Sequence, residues 1–162
     1  MTTPEPLHLP YADDTRAAGR ALGALLRAGD LVVLTGDLGA GKTTLAQGLA
    51  EGLGVRGPIT SPTFVIARVH PSLVGGPDLV HVDAYRLGGL DELDDLDLDT
   101  SLADSVTVVE WGHGLAEELT EDRIEVVLVA DPNTEARTLT VSTHGARWAD
   151  IDVAEALRRA RL

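Results

Sequence analysis

Val32-Val33-Leu34-Thr35-Gly36-Asp37-Leu38-Gly39-Ala40-Gly41-Lys42-Thr43-Thr44-Leu45-Ala46 decides how the rest of this chain is read. It holds Gly36-x-x-x-x-Gly41-Lys42-Thr43, the pattern of a phosphate-binding loop. The flanks agree with it. Leu31 to Leu34 is apolar and β-branched, as a buried parallel strand is, and Thr44 to Leu53 has the composition of a helix. Gly36, Gly39 and Gly41 permit the backbone angles that turn successive N–H groups inward. With the helix N-terminus those donors make an anion site. Lys42 is placed to reach the β- and γ-phosphates, and Thr43 to put its hydroxyl on Mg²⁺. Lys42 is also the only lysine among the 13 basic residues. A compact ammonium on a flexible stem suits a phosphate pair at that position.

Working outward, 162 residues predict a single domain over 1–162, with 1–6 a loose tail. Apolar residues make up 44% but aromatics only 3%, so the core must be aliphatic, which suits α/β layers. The expected fold is a three-layer α/β sandwich of the P-loop nucleotide-hydrolase kind, its sheet mostly parallel with antiparallel strands at the edge. A net charge of −13 argues against RNA being held by this chain alone, because phosphate contacts need Lys and Arg. With no cysteine there is neither a disulfide framework nor a thiolate metal site. No apolar run has the ~20 residues of a membrane span, and the N-terminus lacks the regions of a signal peptide. A cytoplasmic protein is expected.

Before the cradle, Leu7-His8-Leu9 reads as an edge strand, and Asp13-Asp14-Thr15 opens a helix whose apolar face is Ala18, Ala21, Leu22, Leu25 and Leu26. Gly29 is its natural stop. After the cradle, Phe64 to His70 and Asp78 to Asp83 are strands so closely joined that they predict an antiparallel hairpin. Leu90 to Asp99 is leucine-rich and acidic, and reads as a solvated helix or turn. Ser105 to Trp111 is a third buried strand, and Leu115 to Leu119 a short helix. Arg123 to Ala130 and Arg137 to Thr143 alternate as a hairpin. Ile151 to Leu162 closes the chain as an amphipathic helix.

Phosphoryl chemistry also needs acids to hold the metal and to orient water. Asp83 and Glu110 each end a strand, at the sheet edge where such sites form. The plainer role for either is a capping acid at a strand–helix junction. His81 lies two residues before Asp83 on the same strand face, so the two can orient a water or a switch loop. A packed, hydrogen-bonded core histidine is the other reading. Thr60-Ser61-Pro62-Thr63 stands where a nucleotide-sensing loop would lie. Arg86 is read as pairing with an acid, and Trp111 as an anchor beside Glu110. With Lys42 the sole lysine, no Asn-Lys-x-Asp guanine reader exists, which favours ATP over GTP.

Taken together, Gly36 to Thr44, Thr60-Ser61-Pro62-Thr63-Phe64, His81-Val82-Asp83-Ala84-Tyr85-Arg86-Leu87 and Glu110-Trp111 resemble the bacterial TsaE (YjeE) family in order and spacing. The resemblance runs from about Thr15 to Val141. It implies that Gly36, Asp37, Leu38, Gly39, Ala40, Gly41, Lys42, Thr43 and Thr44 bind ATP or ADP, with Thr15 nearby. It implies that Thr43 and Glu110 coordinate Mg²⁺, directly or through water, and that Lys42, Asp83 and Glu110 serve hydrolysis. Thr60, Ser61, Pro62 and Thr63 then form a switch-like loop, with His81, Tyr85, Arg86 and Trp111 in support. The implied function is that of an ATPase subunit which docks on the TsaB and TsaD proteins. There it supports formation of threonylcarbamoyladenosine at position 37 of tRNAs reading codons that begin with adenosine, with tRNA held by the partners. Ala84, and Gly112-His113-Gly114 after Trp111, depart from the family pattern. Two other readings of the same loop are a small-molecule P-loop kinase and a nucleotide-gated module without chemistry. The acids between Leu87 and Ser105, where a kinase carries arginines, weigh against the kinase.

Overall fold

The alternating and continuous apolar runs assemble into one seven-stranded sheet in the computed structural model of the chain. The structure describes residues 6–36, 41–55, 67–83, 104–110 and 122–159, with the backbone only at Ala67, Arg68 and Asp83. In chain order the elements are β1 (Leu7–Leu9), α1 (Ala12–Leu25), β2 (Leu31–Thr35), α2 (Lys42–Leu53), β3 (Ala67–His70), β4 (Asp78–Asp83), β5 (Ser105–Glu110), β6 (Arg123–Ala130), β7 (Arg137–His144) and α3 (Val153–Arg159). A 3-10 turn, Ala146–Trp148, precedes α3.

Strand order across the sheet is β1-β7-β6-β2-β5-β4-β3. The cradle strand β2 is central, parallel to β5 on one side and β6 on the other, and β4 is parallel to β5. The expected hairpins are present as the antiparallel pairs β3–β4 and β6–β7, and β1 is an antiparallel edge on β7. The sheet is therefore parallel at its centre and antiparallel towards both edges. Strand β5 inserts between β2 and β4. One register row thus runs Val126, Leu34, Glu110, Asp83 across four strands.

Burial follows the two-residue period. Val32, Leu34, Val106, Val108, Ile124, Val126, Leu128, Leu139 and Val141 face α1 and α2 in the main core. On the other face Leu31, Val33, Val80, Val82 and Val109 are buried as well. Both faces of the central strands are thus out of water, which explains why Leu31 to Leu34 of β2 reads as an unbroken apolar run.

The two long helices lie side by side and parallel. A Cβ at Gly19 or Gly23 would overlap the backbone carbonyl of Leu45 or Leu49, and one at Gly48 or Gly52 that of Arg16 or Arg20. The contact is reciprocal, glycine of each helix on backbone of the other. Arg16 Nη2 donates to Gln47 Oε1 at 2.8 Å and Arg20 Nη1 to Glu51 Oε2 at 3.1 Å, along the rim. This pairing sets the start of α1 level with the start of α2.

The ends of β1, β4 and β6 fall as expected, whereas those of α1, α2 and β7 differ by one to four residues. Helix α1 starts at Ala12, with Asp14 Oδ2 accepting from Tyr11 N (3.0 Å). It ends at Leu25, because Leu26 is extended. Gly29, at φ 95°, instead turns the chain into β2. Helix α2 starts two residues early, at Lys42, and β7 runs one residue further, to His144. Trp148 is buried, and the Arg147 guanidinium stacks on its ring at 4.0 Å. Arg147 also donates to both Asp30 oxygens, at 3.1 and 3.2 Å, and to Leu25 O at 3.2 Å, tying the α1–β2 turn to the end of β7.

Candidate functional site

The site begins where β2 stops. Gly41 is in the left-handed region (φ 99°, ψ 13°) and is the N-cap of α2, without a side-chain cap. A side chain at Gly41 would be strained by that angle, and its Cβ would come within 3.3 Å of Arg137 Nε. Helix α2 then opens with Leu45 N bonded to Gly41 O at 3.0 Å. The first-turn amides precede the intrahelical ladder, and the N-cap, Gly41, brings no side chain to cap them. Together with the helix dipole they favour an anion. Lys42 is buried, and its Nζ donates to Gly36 O at 2.7 Å, so the ammonium spans the loop from its last residues to its first.

Glu110 stands one strand away. It ends β5, paired in register with Leu34 of β2 and Asp83 of β4, and is 3% exposed. A carboxylate this buried needs a partner. It has one in His81, whose Nε2 lies 2.5 Å from Glu110 Oε2. His81 is fully buried and its Nδ1 has no hydrogen-bond partner. The sequence pairs His81 with Asp83 by spacing; the structure pairs it with Glu110, across the β4–β5 ladder. Asp83 is at the end of β4 beside Glu110 in register. His81 is packed and hydrogen-bonded, as the core-histidine reading expects, and its bond is to Glu110.

Two further groups converge here. Thr15, on the first turns of α1, is 1% exposed, and its Oγ1 has no hydrogen-bond partner. The glycine contacts lay α1, which carries it, alongside α2, the helix that opens at the cradle. Arg137 was not legible from sequence, where it is only the first residue of a strand. Pairing of β7 with β6 (Ala130↔Arg137), and of β6 with the cradle strand β2, places it beside Gly41. Glu135 Oε1, from the turn before β7, accepts from Ala12 N at 3.3 Å, so the β6–β7 turn is joined to the start of α1. Asp37, Leu38, Gly39, Ala40, Thr60, Ser61, Pro62, Thr63, Phe64, Tyr85, Arg86 and Trp111 lie outside the described residues, as do the Leu90–Asp99 and Leu115–Leu119 segments.

Does this donor set fit Mg²⁺? Among the described residues no cluster of three or more His, Cys, Asp or Glu could cage a metal. A hydroxyl at Thr43 and one carboxylate at Glu110, with the remaining positions left to water and phosphate oxygens, suit a small hard cation that keeps its waters. The residues fit Mg²⁺ carried in with a nucleotide.

A left-handed glycine, a helix start without a side-chain cap, a lysine across the loop and a buried acid on the adjacent parallel strand define an α/β protein of the P-loop class. Comparison with known proteins narrows this. Residues 9–139 match the family model described as "Threonylcarbamoyl adenosine biosynthesis protein TsaE". A Streptomyces coelicolor protein named tRNA threonylcarbamoyladenosine biosynthesis protein TsaE is 68% identical over 142 residues, 85% of this chain and 96% of its own length. Proteins of the same name from Mycobacterium tuberculosis (53% identical, 83% of this chain and 84% of theirs) and Bacillus subtilis (38%, 84% of each) are similar along most of their length. The crystal structure of Bacillus subtilis YdiB superposes with a TM-score of 0.76 at 31% identity, covering 100% of this chain and 99% of that one. The chain belongs to the TsaE family, whose role is in threonylcarbamoyladenosine biosynthesis on tRNA.

Proposed function

We propose that this chain is the Mg²⁺-dependent ATP-binding and ATP-hydrolysing subunit of the machinery that forms threonylcarbamoyladenosine at position 37 of tRNAs reading codons that begin with adenosine. It acts in the cytoplasm on the TsaB and TsaD proteins, with tRNA held by those partners, and its turnover alone is weak. The observation that carries this reading is the Gly36–Lys42 bridge over an α2 start that has no side-chain cap.

Each residue has a task in that reading. The first-turn amides and Lys42 hold the phosphates of ATP or ADP; Thr43 and Glu110 hold Mg²⁺. The metal, when bound, neutralises charge that develops on the phosphates. Asp83, next to Glu110 in register, serves as the acid that orients the attacking water. Thr60 to Thr63 acts as the switch-like loop. The net charge of −13 is consistent with RNA contact falling to partners. No described helix is long and apolar enough to cross a membrane.

Calorimetric titration with ADP, with and without Mg²⁺, tests the binding half. The expected result is Mg²⁺-tightened binding that Lys42→Ala weakens. Equal affinity in Lys42→Ala and the unaltered protein would sink the reading.

A further inference from the structure

We propose that His81 is a positioning residue for the Glu110 carboxylate: one hydrogen bond from its Nε2 fixes Oε2, so that Glu110 offers its other oxygen to the metal. This deepens the proposed function and rests on it.

The geometry supplies three reasons. First, the pair is isolated from bulk water, with side chains 1% and 4% exposed, so no solvent competes for the bond. Second, the bond defines the histidine. Nδ1 is buried with no partner, so a hydrogen there would be an unsatisfied donor. The hydrogen therefore sits on Nε2, and Nε2 donates to Oε2. Third, an imidazole gives the buried carboxylate a hydrogen-bond partner without the fixed positive charge that an arginine would bring to the same place. The residue types thus keep a buried anion available to a cation and still give it a partner.

The register explains why a histidine reaches. His81 pairs with Val108 and Asp83 with Glu110, so the ring sits one pleat back from the sheet edge on β4. From there it points along the sheet to a carboxylate that must itself face the edge. A partner behind a metal-holding carboxylate orients the oxygen that binds, and loss of such partners costs about 10- to 100-fold in metal affinity.

The test titrates ADP calorimetrically across a series of Mg²⁺ concentrations, and once in chelator, with the full chain and His81→Asn, His81→Gln and Glu110→Gln. Glutamine places an amide N–H near the Nε2 position; asparagine stops short of it. The proposal expects His81→Asn to raise the Mg²⁺ half-saturation about tenfold or more, and His81→Gln to restore it. ADP affinity in chelator should match in both variants. An unchanged half-saturation in His81→Asn, or an equal rise in both variants, would overturn it. An unaltered protein whose ADP affinity ignores Mg²⁺, or a Glu110→Gln variant that keeps the full response, would instead overturn the metal assignment beneath it. Imidazole ¹⁵N spectra of the unaltered protein read the same bond without a mutation. They should show the His81 hydrogen on Nε2 and a shift of that signal when Mg²⁺ is added with ADP. A hydrogen on Nδ1 would contradict the proposal.

Discussion

Replacing Gly48 with alanine sets two effects of opposite sign against each other in α2. Helix propensity favours alanine by about 1 kcal/mol. Packing opposes it. The new Cβ would overlap the carbonyl oxygen of Arg16, and would lie 2.9 Å from its carbonyl carbon and 3.1 Å from its Cα. All three obstructing atoms are backbone, so no rotamer change relieves them; α1 and α2 must move apart. That movement would also loosen the contacts of Gly19 and Gly52 and the packing of Leu45 and Leu49. Overpacking typically costs about 1–3 kcal/mol, and a backbone obstruction belongs at about 3. The net is a loss of about 2 kcal/mol. For a chain of this size each kcal/mol moves Tm by about 2–4 °C, so Gly48→Ala should melt about 4–8 °C lower. Scanning calorimetry on both proteins, with urea unfolding as a check, measures it. A Tm at or above that of the unaltered protein would refute the reasoning, since propensity alone would then have decided the sign.

Other substitutions isolate other interactions. Asp30→Ala leaves the Arg147 guanidinium, 14% exposed, without its two-point partner. It should cost about 3 kcal/mol in urea unfolding, and a loss below about 1 would contradict the assignment. Glu155→Ala removes the ion pairs to Arg158 and Arg159 on the solvent side of α3. Exposed pairs of this kind contribute about 0.3–0.5 kcal/mol each, so the same assay should show little change. Lys42→Arg should bind ADP more weakly than the unaltered protein by calorimetry. A planar fork cannot take the place of a buried ammonium 2.7 Å from Gly36 O, and equal affinity would refute this.

What the sequence made legible followed local rules. The apolar run of β2, the left-handed Gly41 of the cradle and the alternation of β6 and β7 each specify their element without distant partners. The boundaries of β6 were readable to the residue, since Asp131-Pro132 must leave the ladder. Long-range placement was less legible. Arg137 reaches Gly41 through the β7–β6–β2 order of the sheet, and no local pattern encodes that. His81 was read with Asp83 because the strand period couples i and i+2, yet its hydrogen bond runs to the next strand. The Ala12 amide at the start of α1 finds an acceptor in Glu135, from a distant turn, which no local pattern encodes either.

The central claim is an ATP site that its partners bring into use. ATP hydrolysis should be measured for the chain alone and with the TsaB and TsaD proteins of its own organism, beside Lys42→Ala and Glu110→Gln. The expected result is weak turnover alone, stimulation by the pair, and loss of the stimulated rate in both variants. Turnover that the pair leaves unchanged, and that rises instead with a small hydroxylated metabolite, would contradict it.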